Sequence, residues 1–190
     1  PENGREYYSI DVFKGSGTAT GLVWSMTYRA SLKNIVALQG GLDTVQLVAY
    51  GDTTDVIVYT GPLISLQNGW NNVCIINDTT SPTAPADGNN VHMYLNTNLD
   101  TSGNPLSPAV DSVNVADGPL TSDGSVYSMQ LSRLGNSTGT ATMYFDNIIA
   151  ANINIDATNG DLISVGVYPG NYKACYAPLA NPALSPTANG

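Results

Sequence analysis

The sequence is short of charge. Asp, Glu, Lys and Arg together make up 11% of its 190 residues, against about 25% in an ordinary globular domain. Basic residues are scarcest: six stand against fifteen acidic ones, for a formal net charge of −9. A chain of that sign is repelled by phosphate backbones and anionic lipid, so nucleic acid and anionic membranes are not expected partners. No apolar run reaches the roughly 18 residues that a bilayer-spanning helix needs, so membrane insertion is not expected either. The only glutamates are Glu2 and Glu6, which leaves little material for charged surface helices. One histidine, His92, and two cysteines, Cys74 and Cys175, provide no cluster with zinc-site spacing.

Thr, Ser, Asn and Gly take the place of the missing charge. They suit turns and the polar faces of sheets. The run GLVWSMTYR alternates strictly, with Leu22, Trp24, Met26 and Tyr28 on one face. Period-two alternation marks a half-buried strand. Similar runs recur along the chain, divided by Gly-, Asn-, Asp- and Pro-containing turns. The N-G pair in LISLQNGWNNVCIIN predicts a hairpin, and LGNSTG predicts another between VYSMQLSRL and TATMYFDNIIA. NINID reads as a strand of its own, and LKNIVALQ as either a strand or a short helix. No segment has clear helical periodicity. The expected fold is all-β: a single-domain β-sandwich, jelly-roll-like, with about a dozen short strands and extended termini. Residues 1–14 read as an N-terminal strand or donor arm, 15–176 as the sandwich, and 177–190 as a Pro-rich tail.

Cys74 and Cys175 lie in the strand-like runs VCII and YKACY. They are expected to form a disulfide, with two buried thiols as the alternative. A bond closing a loop of that length contributes about 4.7 kcal/mol in the chain-entropy model, and it implies an oxidising compartment. Two sequons, at Asn77 and Asn136, are glycosylation candidates.

Catalytic material is thin. The G-x-S-x-G pattern at Gly135–Gly139 lies between strand-like segments, not on a strand-to-helix elbow. Thirteen aspartates are present, nearly all in turns, where they bond the local backbone. Turn aspartates also supply oxygen ligands for Ca²⁺. The candidates are Asp52 and Asp55 in GDTTD, and Asp156, Asn159 and Asp161 in DATNGD. Otherwise no cofactor is expected, and no enzymatic activity.

Two stretches, NGWNNVCI and GTATMYFDNIIA, resemble strands of jelly-roll carbohydrate-binding modules. The resemblance covers about twenty residues and implies glycans as partners of a secreted binding module. The N-terminal REYYSIDVFK has a different implication. With Tyr8, Ile10 and Val12 on one face and GSGTATG behind it, it has the form of an arm that a neighbouring subunit could take up as a strand. The expectation is therefore a structural subunit that polymerises with itself through β-strand and apolar contacts. It would sit outside the cell or on a cell or virion surface, in a pilus-like filament, a surface layer or a capsid. A carbohydrate-binding sandwich of a secreted protein is the alternative.

Overall fold

A computed structural model describes residues 4–30, 33–51, 56–77, 87–100, 104–115, 127–135, 138–155 and 162–167. Among these residues there is no helix. The strands are β1 (Gly4–Gly17), β2 (Trp24–Ala30), β3 (Lys33–Gly40), β4 (Thr44–Tyr50), β5 (Ile57–Thr60), β6 (Ile64–Ser65), β7 (Trp70–Asn77), β8 (Val91–Leu95), β9 (Asp111–Val113), β10 (Tyr127–Arg133), β11 (Ala141–Ile155) and β12 (Leu162–Val167). They form two antiparallel sheets. The first has the order β12-β11-β1-β7-β8-β9. The second has the order β10-β2-β3-β4-β5, with β6 pairing with β4.

Alternation decides which residues meet between the sheets. On β1, Tyr8, Ile10 and Val12 point inward; on β2, Trp24, Met26 and Tyr28 do so. Antiparallel register lines up Met26 with Leu38 and Leu38 with Leu47, and Tyr8 with Ile75 and Ile75 with Met93. These rows face each other as one core. Each fully buried large apolar side chain contributes about 1.5–3 kcal/mol. Tyr8 meets Tyr28 edge-on at 4.9 Å, and Trp24 meets Phe145 at 5.3 Å, both across the sheets. Trp24 needs room: a Cβ on Gly40 would collide with its indole ring.

Three features depart from the sequence pattern. The N-G turn does not close a hairpin: β6 belongs to the second sheet and β7 to the first, so the chain crosses between sheets there. Gly69 takes a φ of 91°, and buried Asn71 holds the turn. Its Oδ1 accepts from Gln67 N–H at 2.8 Å, and its Nδ2 donates to the carbonyls of Gln67 and Gly69. The chain also crosses at LGNSTG, because β10 pairs with β2 while β11 pairs with β1 and β12. Lastly, NINID is no separate strand: its first four residues continue β11, which runs unbroken to Ile155.

β1 occupies the third position of six, bonded to β11 on one side and β7 on the other. It continues through Gly17, into the stretch that its composition marks as a flexible connection. Truncating Ile10, which is fully buried, to alanine is expected to cost about 2–5 kcal/mol, read as a lower urea midpoint at unchanged slope. A chain lacking residues 1–14 is expected to lose cooperative unfolding altogether, because the first sheet would split in two.

Candidate functional site

The residues singled out from sequence do not converge on one place. Asp52, Asp55, Asp156, Asn159, Asp161, Asn136 and Cys175 lie outside the described residues. Among the described residues no group of His, Cys, Asp or Glu could hold a metal ion. Asn77 is buried at the end of β7. Tyr8, Ile10 and Val12 are core residues of the chain's own sheet.

The expected disulfide is not seen. Cys74 is a free, buried thiol on the outer face of the first sheet. There it packs with Ile76 and Tyr94 beneath Tyr7, Leu99 and Ala109. Burial in this apolar cluster pushes the thiol up to about 12, so it stays protonated and inert.

His92 lies fully buried on β8. Its Nε2 meets the Asp87 carboxylate at 3.2 and 3.3 Å. Ser112 Oγ donates to the same carboxylate at 3.2 Å, and Asn89 Nδ2 donates to Ser112 Oγ at 2.8 Å. The carboxylate thus stands between histidine and serine. In a nucleophilic relay the histidine must stand between serine and acid. Backbone donation from Asn89, assisted by His92, holds Asp87 down at about 2. The cluster ties the Asp87 turn to β8 and β9.

Between β2 and β10 on one side and β11 on the other, the sandwich opens into a cleft of about 500 Å³. Trp24, Leu131, Met143 and Phe145 form most of its apolar wall, with exposed Arg133 among the lining residues.

The opposite flank of the sandwich is bridged instead. Tyr59 on β5 donates its hydroxyl to Asp111 Oδ1 on β9 at 2.6 Å. Next to this bridge the chain is unusually apolar outside. Val56, Ile57, Val58 and Leu63 are 60, 46, 66 and 57% exposed. β5 pairs only with β4, so its other edge is open among the described residues. From sequence alone DVIVYTG is a continuous apolar run of the kind that usually belongs to a buried strand.

No family model, curated protein or solved structure matches the chain.

The Asp111 hydrogen bond, aided by burial, pushes the Tyr59 phenol from the ordinary 10.0 up to about 12. Burial does the same to Tyr7 and raises Tyr28 further. Groups raised on folding contribute stability that is complete below their unfolded pKa and is lost as the pH climbs through the folded one. Thermal midpoints are therefore expected to fall as the pH rises from about 10 to about 12. Tyr59→Phe should flatten that fall; an equally steep fall in the variant would remove Tyr59 from the cause. In a Cys175→Ser variant, Cys74 is expected to resist aromatic disulfide reagents until the protein is unfolded.

Proposed function

We propose that this protein is a structural subunit of an extracellular assembly, a filament, surface layer or virion shell, whose copies join through β-strands and apolar contacts. The observation that carries this reading is the edge of β5, which is open among the described residues. Edge strands offer unpaired N–H and C=O groups, and proteins usually blunt them with lysine, inward charge or cover. The segment from Val56 to Leu63, VIVYTGPL, has no charged residue, although the chain as a whole carries −9. Two copies that approach here meet no like charge in the segment itself. A strand added to β5 gains main-chain hydrogen bonds and covers Val56 and Val58 together.

Two arrangements satisfy this edge. Antiparallel pairing of β5 with β5 of a second copy is isologous and closes a dimer. Pairing of β5 with β10, the far edge of the same sheet, is head-to-tail and continues the sheet from copy to copy, which generates a fibre. Both differ from the donation of an arm. β1 is already the centre of its own sheet, so it joins copies only by exchange, each chain giving up its strand and receiving another. The shortage of basic residues is consistent with a durable structure outside the cell, since it leaves few sites for trypsin-like proteases. Nothing in the arrangement of Asp87, His92 and Ser112 favours a catalytic reading.

The purified protein is expected to form regular assemblies visible by electron microscopy and size-exclusion chromatography. Val58→Lys puts a charge on the exposed edge and is expected to give a monomer with an unchanged far-ultraviolet circular dichroism spectrum. Undiminished assembly of that variant would acquit β5. A wild-type protein that stays strictly monomeric at high concentration would end the subunit reading.

A further inference from the structure

The outer face of the first sheet carries an aromatic row. Trp70 on β7, Phe13 on β1 and Tyr144 on β11 occupy one cross-strand register. All three are half-buried and point away from the core, since Val12, Met143 and Phe145 beside them point into it. Phe13 stands between the other two. Its centroid lies 5.3 Å from that of Trp70 and 6.2 Å from that of Tyr144, with ring planes at 77° and 84° to its own. Phe13 is thus an edge-on prop between two flanking rings.

The next row along the pleat is polar. Asp11 pairs with Asn72 on one side and Asp146 on the other. The Asp11 carboxylate accepts from Asn72 Nδ2 at 2.8 Å and from Asn147 Nδ2 at 2.6 Å. Asn147 reaches it because β11 bulges there: the register shifts between Ser9 and Asp11, and Asn147 takes a left-handed φ of 45°. Asn147 N–H in turn donates to Asp146 Oδ1 at 2.8 Å. Asp11 orients both amide side chains through one N–H of each; each amide carries a second N–H and a carbonyl oxygen besides. Neither row holds a lysine or arginine.

We propose that this face binds a neutral polysaccharide. A sugar ring has an apolar C–H face and a rim of hydroxyl donors. The C–H face packs on an aromatic ring. The hydroxyls find acceptors in the Asp11 and Asp146 carboxylates and the Asn72 and Asn147 carbonyls, where bonds to an ionised acceptor are the stronger ones. Aromatic rings alone would suit any apolar ligand; the adjoining row, rich in acceptors and free of cations, selects one rich in hydroxyls. The same carboxylates repel sulfated, uronic and phosphorylated chains. Trp70 and Tyr144 flank Phe13 across three adjacent strands, so a glycan running across the strands meets both rings. The site belongs to the first sheet and β5 to the second, so it does not rest on the assembly reading.

The test uses the full chain and neutral hexaoses of glucose, xylose, mannose and N-acetylglucosamine. Trp24 is buried, so a change in tryptophan fluorescence on titration reports Trp70. At least one hexaose is expected to shift the emission. Tyr144→Ala should weaken that binding roughly tenfold, and Trp70→Phe should remove the signal while calorimetry still shows weakened binding. Asp11→Asn, which keeps the shape, should weaken it as well. Val58→Lys should bind as the wild type does, which separates this site from assembly. No shift or heat with any of the four hexaoses would overturn the proposal, as would full affinity in Tyr144→Ala and Trp70→Phe together.

Discussion

One strand holds the first sheet together. β1 is bonded along both edges, to β11 and to β7. On one side of it lie β11 and β12, and on the other β7, β8 and β9. Its inward residues Tyr8, Ile10 and Val12 meet the second sheet, partly through Tyr8 on Tyr28. Its outward residues organise the far face, where Asp11 gathers amides from both neighbours and Phe13 props two rings. Both the core and the proposed glycan surface therefore depend on the placement of one segment.

The low charge of the chain has a structural counterpart in its asparagines. Buried charge is costly unless it is paired, whereas a buried amide needs only its own donors and acceptors matched. Asn71 does this at the sheet-crossing turn. Asn90 does it beyond β9, donating to the Val115 carbonyl at 2.8 Å and accepting from its N–H at 2.7 Å, as a neighbouring strand would. Side-chain amides thus extend the pairing where strands end. What remains outside is a surface with little charge, interrupted by the apolar edge of β5.

Much of the fold is legible in the sequence because alternation is a local property. Trp24, Met26 and Tyr28 share a face in GLVWSMTYR, and the same three are buried together. Turn chemistry says less than it is often asked to. N-G at Asn68–Gly69 and the LGNSTG stretch both mark real reversals. Neither reveals whether the next strand returns beside the last one or crosses to the other sheet, which the distant partners β1 and β2 decide. The candidate sites were harder still. Trp70, Phe13 and Tyr144 are far apart in the chain and become neighbours only through register. Tyr59 and Asp111 meet across the two sheets. The exposure of Val58 contradicts its composition, since an apolar β-branched run normally marks a buried strand. Cys74 is legible as a buried strand residue, but the disulfide expected for it is not seen.

The placement of β1 also governs the order in which this molecule can be made. β1 leaves the ribosome well before β7, and its other partner, β11, follows later still. Folds dominated by such distant pairings are slow to form, because the loop entropy is spent before the contacts return it. Throughout that interval YYSIDVF is a sticky, unpaired strand next to a growing chain. A second copy of the chain carries the same two partner strands, so the topology that makes β1 central also makes it the strand whose misplacement would cost the most.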